Sequence, residues 1–149
     1  MSNTISILND LIQTLKDGQE GFRAAAADVE STDLKTLFGK YSLQRSKFAG
    51  ELQSMARSLG GNDPETAGSV AGALHRGWIN IKAALSSKDE HAILAECERG
   101  EDSAVAEYRK ALDADGLPAD VLETLRAQSV EVQEAHDCIR DLRDSLAAK

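Results

Sequence analysis

Residues 5–29 read ISILNDLIQTLKDGQEGFRAAAADV. Ile5, Leu8, Ile12, Leu15, then Gln19, then Phe22, Ala26 and Val29 recur at alternating three- and four-residue steps, which puts them on one face of an α-helix. Gln19 is a polar amide in an otherwise apolar seam. Three further stretches of the chain carry an apolar stripe that also turns polar near its middle. An interruption at matching heights on several helices either fixes the register of a bundle or forms the floor of a site.

Outward from this stretch, the first helix is expected from about Thr4 to Val29, and Glu30-Ser31-Thr32-Asp33 supplies capping residues for the next. A connection this tight makes the two helices antiparallel. The second stripe holds Leu34, Leu37, Tyr41, Phe48, Leu52, Met55 and Leu59, with Gln44 or Arg45 as its polar break, and Gly60-Gly61 ends it. Asp63 and Pro64 then suit a helix start, and Val70, Leu74, Trp78, Ile81 and Leu85 have the spacing of a short amphipathic helix lying across the bundle. Exposed apolar positions on that crossover helix are expected to support a homodimer. Ser87 and Glu90 have the spacing of a capping box for the next long helix, with Leu94, Val105, Tyr108 and Leu112 on its apolar side. After Asp115-Gly116-Leu117-Pro118, the last seam is Val121, Leu125, Gln128, Val132, Ala135, Ile139, Leu142 and Leu146. Two hairpins joined by a crossover of roughly 28 residues, long enough to run the length of the bundle, predict a ferritin-like arrangement.

Composition agrees with an all-α chain. Two prolines and 4% aromatic residues in 149 favour helix over strand, and this length suits one domain spanning residues 1–149. A net charge of −8 leaves no basic surface for phosphates, so nucleic acid is not expected as a partner. Asn9, Asp10, Gln13 and Lys16 break any would-be leader, and no window reaches the roughly 20 apolar residues of a membrane span, so a cytoplasmic chain is expected. Cys97 and Cys138 are too few for a disulfide framework and read as buried, reduced thiols.

Counting about 1.5 Å per residue from the turns near Ser31 and Gly116 brings one layer together: Gln19, Glu20, Gln44, Arg45, Glu98, Glu101, Gln133 and His136. Glu101 points inward on both versions of its stripe, Leu94-Cys97-Glu101-Tyr108 and Leu94-Glu98-Glu101-Val105. A buried carboxylate must be paired or neutral, and the Arg45 fork matches it. One reading is therefore a Glu101–Arg45 pair in a layer lined by Gln19 and Gln44, which sets register and does no chemistry. The other makes Glu20, Glu98, Glu101 and His136 ligands of iron, manganese or zinc in the core, a donor set that suits those ions. Glu20 also has Lys16 and Arg23 within reach on its own helix, and His136 could instead bond Glu98 or Glu96 as a half-buried side chain. His75, beside Trp78, and His91, in a first turn, are weaker ligands. The mid-helix glycines Gly18, Gly21 and Gly100 either open a ligand pocket or permit close packing, and close packing is the expectation. Neither a phosphate loop, a nucleophile elbow nor an HExxH motif occurs.

Gly18-Gln19-Glu20-Gly21-Phe22, Leu74-His75-Arg76-Gly77-Trp78, Glu96-Cys97-Glu98-Arg99-Gly100-Glu101-Asp102 and Ala135-His136-Asp137 resemble a bacterial ferritin-like family of unknown function, domain of unknown function 2383. The resemblance implies the four-helix fold and loosely a stress setting, and brings no established activity. Against the di-iron pattern of ferritins and bacterioferritins, Glu20 and one of Glu98 or Glu101 match the single carboxylates. The expected Glu-x-x-His pairs are reduced to Glu51-x-x-Ser54 and Gln133-x-x-His136. A complete ferroxidase centre is not expected. The sequence predicts a non-enzymatic bundle acting by association, with a partial carboxylate and histidine metal site as the alternative.

Overall fold

Ser31 decides where the first hairpin turns. Its hydroxyl accepts the N–H of Leu34, capping helix α2 (Thr32–Ser58) directly after helix α1 (Ser2–Asp28). The computed structural model describes residues 2–61, 78 and 80–147. The described residues also form α3 (Ile81–Ser87), α4 (Glu90–Leu112) and α5 (Ala119–Ala147), and no strand. The protein is all-α. The expected cap at Asp63-Pro64, the residues 70–77 of the expected crossover helix, and His75 lie outside the described residues.

Gly60 stops α2 at φ +91°, with Gly60 N–H donating to the Arg57 carbonyl and Gly61 N–H to the Ala56 carbonyl. These two bonds satisfy carbonyls that the last turn would otherwise leave open. At the other hairpin, Gly116 takes φ +82° between α4 and α5. Two details of the crossover differ from expectation. Trp78 precedes α3 in non-helical chain, because Asn80 spends its N–H on the Glu96 carboxylate at 2.8 Å rather than on a helical carbonyl. The cap of α4 is Asp89, which accepts from His91 N–H, while Ser87 accepts from Asp89 N–H, so no Ser87–Glu90 capping box forms.

α1 packs on α2, α4 on α5, α1 on α4, and α2 more loosely on α5. Asn3, Ile7 and Leu11 line one groove with Glu107, Lys110 and Ala111, so α1 and α4 run antiparallel. Leu34 shares a groove with Leu142 and Leu146, and Glu51 shares another with Asp120 and Gln128, so α2 and α5 also run antiparallel. α2 and α4 therefore face each other along one diagonal of the bundle and run parallel. A chain leaving the lower end of α2 must climb the whole bundle to begin α4, which is why the connection is long.

Apolar seams meet inside this square. Leu8, Leu11, Ile12, Leu15, Phe48, Leu52, Tyr108, Leu125 and Val132 make one buried cluster, and Phe22, Phe38, Tyr41, Trp78, Leu94, Cys97, Ala135 and Ile139 belong to a second. Each fully buried Leu, Ile or Phe contributes about 1.5–3 kcal/mol of transfer free energy. The seam of α5 holds Val121, Leu125, Gln128, Val132, Ala135 and Ile139 buried as its spacing predicts. On α4 the version with Leu94, Cys97, Glu101 and Tyr108 is the one that faces inward, and Val105 is only partly buried. Ile81, Ala84 and Leu85 of α3 are also turned into the core, so the described part of the crossover offers no exposed apolar face for a dimer.

Candidate functional site

The boundary between the two apolar clusters is a single ion pair. Arg45 Nη1 and Nη2 donate to Glu101 Oε1 and Oε2 at 2.5 and 2.7 Å, and both side chains are buried. The pair crosses the diagonal from α2 to α4. Gly18 of α1 lies against the pair: a Cβ there would sit in ordinary van der Waals contact with Arg45 Cγ and Nη1, at 3.6 and 3.7 Å. The residue of α1 that faces the ion pair is thus Gly18 rather than Gln19. Gln19 is half-buried beside the seam, and its carbonyl accepts from the Ser42 hydroxyl. Gln44 is half-buried too, and its Oε1 accepts from Arg45 Nε at 3.1 Å, so three of the guanidinium nitrogens are engaged. Arg45 Cζ also lies 5.5 Å from the centroid of the Phe22 ring. Burial opposes the Arg45 charge, and the Glu101 carboxylate more than restores it, so the guanidinium is held charged above its usual range.

Trp78 closes the layer from the α1–α4 side. A Cβ on Gly21 would lie 2.4 Å from Trp78 Cδ2, and one on Gly100 would lie 2.2 Å from Trp78 Cε2. Two bare backbone stretches at one height therefore make a slot for one indole, which also meets Phe22 edge-on at 5.1 Å. Gly21 and Gly100 thus serve close packing, whereas Gly18 would admit a Cβ without displacing its neighbour. Next to the slot, buried Glu96 accepts from Asn80 N–H and pairs with Arg99, which fastens the crossover to α4.

Glu20 stands apart. Its Oε2 pairs with Arg23 on the same helix at 2.6 Å. Of the four residues considered as metal ligands, the structure brings together Glu98 and His136, adds Asp102, and commits Glu101 to Arg45. Glu98, Asp102 and His136 each offer one ligand atom, and these atoms lie within 4.8 Å of one another on the α4–α5 seam. His136 Nε2 is 2.6 Å from Asp102 Oδ1 and 3.7 Å from Glu98 Oε2. His136 Nδ1 faces Asp137 Oδ1 at 3.0 Å, and Gln133 Nε2 donates to the same oxygen. The other oxygen of Glu98 pairs with Arg143, two turns beyond His136 on α5.

Partial burial pulls the His136 pKa down, but hydrogen bonds to Asp137 and Asp102 outweigh it and raise the pKa above 6.5. The hydrogen bond from His136 in turn lowers the Asp137 carboxyl. Asp102 has a readable sign in the sequence, since it follows Glu98 by four residues and so shares its helix face. It escapes an analysis of core positions because it is exposed on the flank of α4. Cys97 is buried and Cys138 half-buried, both as free thiols, and burial pushes the Cys97 thiol well up.

Among the described residues no helix is long and apolar enough to cross a membrane. No curated protein matches the chain. Residues 3–114, from the start of α1 past the end of α4, carry the pattern of Domain of unknown function (DUF2383), and the chain belongs to that family.

Proposed function

We propose that the chain is a ferritin-like four-helix bundle, one domain over residues 1–149, that acts in the cytoplasm by association with a second copy of itself rather than as a catalyst. The antiparallel hairpins, the parallel α2 and α4, and the long crossover between them support the ferritin-like reading. The observation that carries the non-catalytic reading is the Arg45–Glu101 pair. The mid-height core, where inward side chains on facing helices hold metals in bundles of this kind, is filled here by a closed ion pair, with Trp78 packed beside it. A carboxylate held by both arms of a guanidinium has little left for a metal, and Glu20 is turned to Arg23. An iron or manganese centre built on Glu20, Glu98, Glu101 and His136 would have to break both pairs.

Among the described residues, with that part of the crossover turned inward, Leu43 at 74% and Val130 at 59% exposure are the large apolar side chains left outside. Sedimentation equilibrium of wild type, Leu43→Glu and Val130→Glu tests association. A dimer that dissociates in either variant is the expected result, and a wild-type monomer up to high micromolar concentration would overturn it. Acceleration of Fe(II) oxidation that disappears in Glu101→Gln would overturn the non-catalytic reading.

A further inference from the structure

We infer that Glu98, Asp102 and His136 form a solvent-open site for one divalent transition-metal ion on the α4–α5 seam, separate from the buried centre of the bundle. This goes beyond association and does not depend on it. Three features carry it. First, the donor set is one imidazole nitrogen and two carboxylate oxygens from two helices, a combination suited to Zn²⁺, Fe²⁺ or Mn²⁺, whereas the imidazole disfavours Mg²⁺ and Ca²⁺. Metal bonds of about 2.0–2.2 Å hold ligand atoms roughly 3–4 Å apart, so small rotations of the exposed Asp102 side chain close the set. Second, the ligands are already oriented by neighbours. Asp137 Oδ1 accepts the Nδ1–H of His136, which leaves Nε2 as the atom aimed at the two carboxylates, and Gln133 holds Asp137 in place. A carboxylate behind a histidine in this way fixes the tautomer of a metal-bound imidazole. Arg143 does the same for Glu98, gripping one oxygen and leaving the other turned toward His136.

Third, the burial is graded. Glu98 and His136 are each 12% exposed at the side chain and Asp102 is 64% exposed, so the inner two ligands are packed while the outer one stands in water. Three protein ligands leave at least one position open to solvent, the plan of an exchangeable site rather than a structural one. Metal bound there would clamp α4 to α5 without touching the Arg45–Glu101 pair.

The test is titration of tag-free, chelator-treated full-length protein with Co²⁺, read by visible absorption, with Zn²⁺ as competitor. One Co²⁺ per chain, displaced by Zn²⁺, is expected. Asp137→Asn should weaken binding by about 10–100-fold, and His136→Gln and Asp102→Asn by more than that. Glu20→Gln should bind as wild type does. Asp102 is exposed, so its replacement leaves folding intact and decides the matter if His136→Gln misfolds. Absence of binding at millimolar Co²⁺, or binding that Asp102→Asn leaves unchanged, overturns the site and reduces the cluster to a surface ion-pair network.

Discussion

The Trp78 indole occupies the space that a side chain on Gly100 would need: a Cβ built there falls 2.2 Å from Trp78 Cε2. Gly100→Ala should therefore force the ring out of its slot and cost about 1–3 kcal/mol, the usual scale of overpacking. Gly39 and Gly50 lie in α2 with open space around the same position, so alanine there should stabilise by about 0.5–1 kcal/mol through helix propensity alone. Urea unfolding of the three variants checks the opposed signs. Because the chain holds one tryptophan, red-shifted emission in Gly100→Ala would report the displaced ring directly.

Removing either half of the Arg45–Glu101 pair strands a charge in the core. Arg45→Ala and Glu101→Ala should each lower stability by about 3–5 kcal/mol in metal-free protein. The joint apolar replacement Arg45→Met with Glu101→Leu should be less damaging than either single change, because no charge is left unpaired. Single variants as stable as wild type would show that the pair is not formed in solution.

His136 should titrate above 6.5, since its bonds to Asp137 and Asp102 outweigh the desolvation that opposes the charged ring. A raised folded-state pKa gives a stabilising contribution that is complete below the unfolded value near 6.5 and fades as pH rises through the folded one. Following the ring protons of His136 by NMR gives the folded value. Asp137→Asn should move it down, and a midpoint at or below 6.5 in wild type would contradict the hydrogen-bonded arrangement.

Thiol accessibility separates the two cysteines. Cys97 is buried in the core and its thiol is pushed well up by burial, so in native protein it should react with a disulfide reagent only as fast as the bundle opens. Half-buried Cys138 should react first. Two thiols of equal rate in native protein would place Cys97 outside the core.

The four long helices, their two hairpins and most of the buried positions were legible in the sequence because they depend on local spacing: three- and four-residue steps define a helix face, and Ser31, Gly60 and Gly116 mark its ends. The Arg45–Glu101 pair was legible for a related reason. A carboxylate on an apolar stripe has to find a cation, and helix heights left Arg45 as the candidate. Tertiary structure alone decided the rest. Neighbouring residues on a helix lie about 100° apart around its axis, so whether Gln19 or Gly18 faces Arg45 depends on how α1 is rotated against α2. Asp102 looks like a solvated flank until α5 brings His136 alongside it. Gly21 and Gly100 had an expected use, close packing, but not a partner. Only the placement of Trp78 at the height of Gly21 and Gly100 shows what fills the space they leave.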